Sequence, residues 1–195
     1  VFNMGTKRIG LARIQALMEG LKRELSLGGS LITKRNAYKY ITTAAGSHDY
    51  SGLKGDTTIM VNAAKVDDTY IRLPEATTSN GGMHIRVVLG IAMADAFFVG
   101  FVTTKIQGAA FAIGDTDEAQ GSSLDYATAI ADTGDNFLRV EFDLDTAAKA
   151  GGTGGTVLDF YYPGVANKVI YSGRLISEID NPTLATHFTT TAINA

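Results

Sequence analysis

The sequence predicts a mainly β protein: an antiparallel β-sandwich with a jelly-roll-like body, preceded by an N-terminal amphipathic helix. The first observation is a series of short runs of β-branched and aromatic residues, separated by turn residues at intervals of about ten positions. The second is that no helical pattern stands between these runs, which favours antiparallel sheets over alternating strands and helices. The third is the composition: 45% of the 195 residues are hydrophobic, with 22 Gly and three Pro, which suits a packed core and excludes a disordered chain.

The N-terminal helix is predicted over residues 7–26, between a capping residue, Thr6, and a stop at Gly28-Gly29. Apolar residues recur in it at alternating spacings of three and four, as in the a/d seam of a heptad repeat. Leu17 widens this seam, which favours assemblies of more than two helices. Two interpretations stay open, because the helix can associate with other copies or pack on its own domain. The predicted oligomer-interface residues are Leu11, Ile14, Met18, Leu21 and Leu25.

Charge is distributed unevenly along the chain. Residues 1–40 carry eight Lys or Arg against two Glu, a net charge of +6, whereas the rest carries nine basic and 18 acidic side chains, a net charge of −9. This asymmetry predicts a basic arm that docks on an acidic partner or faces nucleic acid; the alternative is an ordinary solvated helix. The predicted docking residues are Lys7, Arg8, Arg13, Lys22 and Arg23.

Three segments organise the chain: a helical assembly arm over residues 1–27, an extended connector over 28–56 and the β-sandwich body over 57–195. Met4 resembles a natural start, so the three residues before it are expected to be an extension. The pattern leaves residues 123–131 ambiguous, with a short helix as one interpretation. Extended pieces are predicted around 31–33 and 37–43 in the connector. The predicted strands of the body are 57–62, 69–73, 83–90, 96–103, 107–113, 137–142, 157–162, 168–172 and 174–177.

Residue types that carry catalysis are not arranged in recognised motifs. The absence of cysteine excludes disulfides and thiolate chemistry. The three histidines, His48, His84 and His187, lack the spacing of metal ligands. Ser47, His48 and Asp49 are adjacent, but neighbouring side chains on a strand point to opposite faces, which argues against a triad. We therefore expect no catalytic residue, no metal ligand and no cofactor.

Two kinds of loop suggest a ligand. Acidic segments at 115–118, 132–135 and 143–145 offer oxygen ligands, but none follows the EF-hand spacing, so calcium is only an alternative. The glycine run 151–156 precedes a predicted strand rather than a helix, which favours a turn over a phosphate-binding loop. No signal peptide or membrane-spanning run is expected, because the apolar stretch 87–102 is interrupted by glycine and aspartate.

Three consecutive aromatic residues, Phe160, Tyr161 and Tyr162, form the one candidate ligand platform. Alternation along a strand predicts that Tyr161 faces away from its two neighbours, so part of the set belongs to the core. The chain has no Trp, which weakens a sugar-binding interpretation.

Three stretches resemble bacteriophage virion proteins of the trimeric head-decoration and fibre type, in particular those of marine phages. Residues 73–88 (LPEATTSNGGMHIRVV) are similar to their pattern of a strand, Leu-Pro, a small polar loop, Gly and a second strand. Residues 167–177 (NKVIYSGRLIS) are similar to their closing strand pair, although Val169, Ile170 and Tyr171 stand where Trp is often found. Residues 4–11 (MGTKRIGL) with the heptad helix resemble their N-terminal segment.

This resemblance implies a non-enzymatic structural protein of the virion, a capsid decoration or shell component that assembles as a homotrimer. Its expected partners are other capsid proteins, with an inward contact of the basic arm to nucleic acid and no membrane association. Two alternatives stay open. One is a phage fibre or receptor-binding protein that recognises a host glycan through Tyr161, and the other is a metal-assisted hydrolase that uses the acidic loops.

Overall fold

The computed structural model describes residues 14–16, 37–66, 69–114, 125–132, 134–143, 150–177 and 183–193. The chain divides into two compact units, residues 1–36 and residues 37–195. In the first unit, residues 14–16 are helical. The remainder of the predicted helix 7–26 lies outside the described residues.

The second unit is mainly β, as predicted. Its described part contains twelve strands and one 3₁₀ turn, Thr78–Asn80. Residues 125–131, within the segment whose pattern was ambiguous, form a strand. Strands β1 and β2 lie in the segment 28–56, which was expected to be an extended connector. The strands are β1 Ala37–Ile41, β2 His48–Asp49, β3 Thr57–Val61, β4 Thr69–Arg72, β5 His84–Leu89, β6 Phe97–Gly100, β7 Lys105–Gly114, β8 Asp125–Ala131, β9 Arg139–Phe142, β10 Val157–Tyr161, β11 Lys168–Ser177 and β12 Phe188–Thr189.

The strands form two mixed sheets. The larger has seven strands in the order β1-β3-β5-β10-β11-β7-β8, and the smaller has five in the order β12-β9-β6-β4-β2. From β1 to β7 the chain alternates between the two sheets, so consecutive strands of one sheet run parallel in β1-β3-β5 and in β2-β4-β6. The β7-β11 pair is also parallel. The antiparallel prediction is therefore wrong for half of the strand pairs, because the early turns lead across to the other sheet instead of closing hairpins.

Strand β11 corrects the prediction of two short strands separated by a turn at Gly173. The strand is continuous over ten residues, and its side chains alternate between buried and exposed positions. A Cβ atom at position 173 would collide with the hydroxyl group of Tyr171, so glycine is required here by close packing. Gly173 thus fills a strand position rather than a turn.

The inner faces of both sheets share one hydrophobic core. Tyr171 of β11 meets Phe188 of β12 edge to face, with ring centroids 5.6 Å apart. Phe160 of β10 meets Phe101, which follows β6, in the same geometry at 5.9 Å. These residues belong to one cluster of buried side chains drawn from both sheets. Each such side chain contributes about 1.5–3 kcal/mol when it is fully buried, so this shared core is the main source of stability.

Candidate functional site: the outer face of the seven-stranded sheet

Alternation along the strands leaves a second set of side chains on the side of the seven-stranded sheet that faces away from the core. We call this side the outer face. The strand register arranges its residues in rows that run across the sheet. One row is Tyr38, Thr58, Arg86, Asp159, Ser172, Ala109 and Ile130, and the next is Tyr40, Met60, Val88, Val157, Arg174, Phe111 and Thr128.

Large apolar and aromatic side chains on the outer face are exposed to an unusual degree. Ile130 is 73% exposed, Tyr38 is 60% exposed and Tyr40 is 61% exposed. Tyr161 and Ile170 are also exposed. Scattered exposed apolar residues are ordinary, whereas several on one face of a sheet make that face a candidate interaction surface.

A polar cluster lies at the centre of this face. The guanidinium of Arg86 donates two hydrogen bonds to Asp159, from Nε to Oδ1 at 2.7 Å and from Nη2 to Oδ2 at 3.2 Å. Nε2 of His84 donates a third, to Oδ1 of Asp159 at 2.7 Å. The hydrogen bonds from Arg86 to Asp159 raise the pKa of the guanidinium, which stays charged. Because both carboxylate oxygens are engaged, the cluster links strand β5 to strand β10.

Tyr161 lies beside this cluster and is the residue singled out from the sequence. Its ring stacks on His84 with centroids 4.4 Å apart and planes within 3°. Phe160 and Tyr162, its neighbours in the chain, are buried in the core, so the predicted alternation is confirmed. Since His84 covers one face of the Tyr161 ring, the ring can offer a partner its other face and its edge.

A second polar feature, which sequence reasoning missed, surrounds Glu75 in the polar loop after β4. Its carboxylate accepts backbone hydrogen bonds from Val102, Thr103 and Thr104 and further bonds from both threonine hydroxyls, at 2.7–3.1 Å. Burial alone would raise the pKa of Glu75, but these hydrogen bonds outweigh burial and hold the pKa below its usual value. The bonds tie the loop to the end of β6, which indicates a structural role.

A groove of about 520 Å³ opens next to Glu75. Most of its lining residues carry hydroxyl, amide or charged side chains, although the larger part of its accessible surface is apolar. The lining residues are Ser51, Gly52, Leu53, Lys54, Pro74, Glu75, Thr77, Ser79 and Asn80.

Lys65 is the other residue that the sequence did not reveal. It is fully buried, and its ammonium donates to the carbonyl oxygens of Thr43 at 3.2 Å and Gly46 at 2.6 Å. Nε2 of His48 lies 3.3 Å from the same ammonium. Burial lowers the pKa of Lys65, and burial together with the charge of Lys65 lowers the pKa of His48. Lys65 thereby holds the loop between β1 and β2 in place.

The Ser47-His48-Asp49 sequence does not assemble into a catalytic triad. The hydroxyl of Ser47 accepts a hydrogen bond from the backbone N–H of Tyr70 at 3.2 Å. Asp49 accepts one from the backbone N–H of Ser51 at 2.8 Å, while His48 faces Lys65. The three side chains therefore make three separate contacts, as their alternation on a strand predicts.

Most of the other sequence candidates lie outside the described residues. This holds for the interface residues Leu11, Met18, Leu21 and Leu25 and for the docking residues Lys7, Arg8, Arg13, Lys22 and Arg23. It also holds for the acidic segment 115–118. Among the residues that the structure describes, no group of three or more His, Cys, Asp or Glu could hold a metal ion. The glycine run 151–156 leads directly into strand β10, in agreement with the predicted turn.

Comparisons with known proteins yield no relative from which a function could be taken. No family model matches the chain, and neither a curated protein nor a solved structure matches it. Within the described ranges, no helix has both the length and the apolar character needed to cross a membrane. The function is therefore inferred from the chemistry and geometry of the outer face.

Proposed function

We propose that this protein is a non-enzymatic structural component of a virus particle, a capsid decoration or shell protein that assembles as a homotrimer. In its finer architecture, the β body is a two-layer sandwich and residues 7–26 form an amphipathic helix. A jelly roll joins antiparallel neighbours throughout, so the parallel pairs make this body a mixed-sheet variant rather than a regular jelly roll.

The observation that carries the proposal is the exposure of large side chains across the outer face. Ile130, Tyr38 and Tyr40 each leave more than half of their surface in contact with solvent in the single chain. Removing apolar surface from water contributes about 25 cal/mol per Å², so association that covers these side chains is favoured. In a homotrimer, a second copy of the chain is the partner that covers them.

The N-terminal unit adds two contributions to the proposal. The seam residues, Leu21 among them, supply apolar surface for helix association, although about two heptads are too short to trimerise alone. The basic arm docks on an acidic shell protein or on nucleic acid, while the acidic body stays in solvent. The resemblance of residues 73–88 and 167–177 to phage virion proteins is consistent with both contributions.

Light scattering coupled to size-exclusion chromatography tests the proposal. We expect a mass three times the 20.6 kDa of the chain, or a larger closed assembly. A monomer at all accessible concentrations would contradict the homotrimer. The variant Leu21→Asp places a charge in the helical seam and should weaken the assembly; an unchanged mass would show that the seam does not contribute.

A second candidate function is supported by Tyr161. A partly exposed aromatic ring beside charged side chains is a common element of sugar-binding surfaces, which fits a fibre protein that recognises a host glycan. Binding to a glycan array that is lost in Tyr161→Ala and kept in Tyr40→Ala would favour this function. Absence of binding by the wild-type protein would remove it.

A further inference from the structure

The seven-stranded sheet ends in two edge strands, β1 and β8. Among the described residues, no strand pairs with the outward edge of either one. Such an edge presents backbone N–H and C=O groups that can pair with a strand of another chain. Natural proteins shorten or charge exposed edges to prevent this, but β8 is seven residues long, and its described side chains, at positions 128–131, carry no charge.

The most exposed apolar side chains of the outer face lie at these two edges. Ile130 is on β8, and Tyr38 and Tyr40 are on β1. The stacked rings of Tyr38 and Tyr40, with centroids 6.5 Å apart, form a continuous apolar strip along β1. Among the described residues, therefore, the unpaired strand edges and the most exposed apolar side chains of the outer face lie together at the two ends of one sheet.

The strand directions at the two ends are complementary. Strand β1 runs parallel to β3 and β5, β10 runs antiparallel to β5, and β11 and β7 run in the direction of β5 again. Strand β8 is antiparallel to β7, so β8 and β1 run in opposite directions. If the edge β8 of one copy continues into the edge β1 of the next, the new pair is antiparallel, which is the more stable arrangement.

The register matches as well as the direction. One outer-face row begins at Tyr38 and ends at Ile130, and the next begins at Tyr40 and ends at Thr128. Continuing both rows from one copy to the next places Tyr38 opposite Ile130 and Tyr40 opposite Thr128. Because the residue numbers rise along β1 as they fall along β8, one antiparallel register accounts for both pairs. The only charge in β1, on Lys39, would then face the small side chain of Ala129, so no like charges meet.

We propose that β8 of one copy pairs with β1 of the next, head to tail, so that the seven-stranded sheets join into a closed ring of copies. This inference rests on the proposed homotrimer and names its contact. Because the two surfaces in contact differ, the interface is heterologous, and such interfaces generate rings when the rotation closes. Hydrogen bonding between the edges provides the pairing, and the contact between Tyr38 and Ile130 covers the apolar surface.

Single charged variants at each edge test the contact. At concentrations where the wild type is trimeric, we expect Tyr38→Lys and Ile130→Lys to be monomeric. The protein concentration at which half of the trimer dissociates should rise at least about tenfold. The matched control is Ile170→Lys, which places the same charge at an exposed position on the same face but in an internal strand. The control should retain the trimer.

Mixing the two edge variants distinguishes a head-to-tail contact from any other. Each variant keeps one intact edge, so an equimolar mixture should form complexes of two chains and no trimers. Unfolded variants could not produce this result. A mixture that stays monomeric, while each variant retains the thermal midpoint of the wild type, would overturn the inference.

Cysteine cross-linking gives an independent readout, since the chain contains no natural cysteine. The double variant Tyr38→Cys/Ile130→Cys should form disulfide-linked dimers and trimers on oxidation, because opposed positions on paired strands come within disulfide reach. The control Tyr38→Cys/Ile170→Cys should form none. A wild-type trimer that the edge variants leave intact and that does not cross-link would overturn the edge contact and leave the proposed function standing. A monomeric wild type would overturn both.

Discussion

The two sheets treat their outer faces in opposite ways. On the five-stranded sheet, Phe98 is only 6% exposed because the chain covers it. Ile193 from the C-terminal segment packs on it together with Ala96 and Tyr70, and the guanidinium of Arg139 lies 4.2 Å above its ring. The outer face of the seven-stranded sheet has no comparable cover among the described residues, and its aromatic side chains stay exposed.

This difference separates a face that the chain itself covers from a face whose large apolar side chains are exposed, as the proposed association requires. The C-terminal segment is held on the five-stranded sheet by a backbone hydrogen bond from Ile193 to Phe101 at 2.9 Å. Covering an apolar face in this way makes it part of the fold. In the proposed assembly, the exposed side chains of the other face, Tyr38 and Ile130 among them, supply apolar surface that a partner covers.

The largest expected effect is a difference in stability loss when one aromatic side chain on each face is truncated. Phe98→Ala should lower the free energy of unfolding by about 3–5 kcal/mol, because it leaves a cavity beneath Ile193 and Arg139. Tyr161→Ala, on the uncovered face, should cost about 1 kcal/mol, the value of its stacking on His84. Urea unfolding below the assembly concentration measures both values. Equal losses would mean that the two faces are not distinct.

Acid should lower the stability of the folded chain, because His187 lies fully buried between the sheets. Its Nδ1 donates to the carbonyl oxygen of Glu141 at 2.9 Å, and its Nε2 accepts from the hydroxyl of Tyr171 at 2.9 Å. Burial lowers its pKa to about 4, against 6.5 for an ordinary histidine. The unfolded chain therefore binds a proton at a higher pH than the folded chain does, which favours unfolding as the pH falls.

For this reason, stability should be fully present above pH 6.5 and should decrease as the pH falls from 6.5 towards 4. The decrease attributable to His187 is about 3 kcal/mol over this window. In His187→Gln, the free energy of unfolding, measured at several pH values across this window, should no longer show this decrease. His84→Gln, on the outer face, is the matched control, and an unchanged slope in His187→Gln would contradict the assignment.

The smallest expected effect concerns the polar cluster of the outer face. Arg86→Gln removes a two-bond ion pair with Asp159, but the Arg86 side chain is 45% exposed. Exposed ion pairs contribute about 0–1 kcal/mol, so the free energy of unfolding should change by less than about 1 kcal/mol. Thermal unfolding measures this change. A loss as large as that of Phe98→Ala would show that the cluster is covered and belongs to the core.

Local patterns located most strands but not their partners. The runs around β5, β10 and β11 were found because β-branched and aromatic residues alternate there with polar ones, and the facing of Tyr161 followed from the same period. The split of β11 at Gly173 was wrong because glycine also signals a turn. Only the close approach of the Tyr171 hydroxyl shows why a glycine stands inside a continuous strand.

The candidate site was visible in the sequence only in part. Tyr161 was identified from its aromatic neighbours, whereas the outer-face rows that join Tyr38 to Ile130 depend on seven strands paired in register. Glu75 and Lys65 gave no local signal, because the partners of the Glu75 carboxylate lie 27–29 positions away in the chain and those of the Lys65 ammonium lie 17–22 positions away. Such contacts exist only after the sheets have formed.

The sequence by itself determined that this chain folds into short strands around an apolar core, because side-chain period and turn propensity act over a few residues. The tertiary structure alone decided that the chain crosses between two sheets at successive strands, which makes β1, β3 and β5 parallel. A turn that crosses to the other layer and a turn that closes a hairpin use similar residues. Which of them forms is set by the burial of distant side chains against one another.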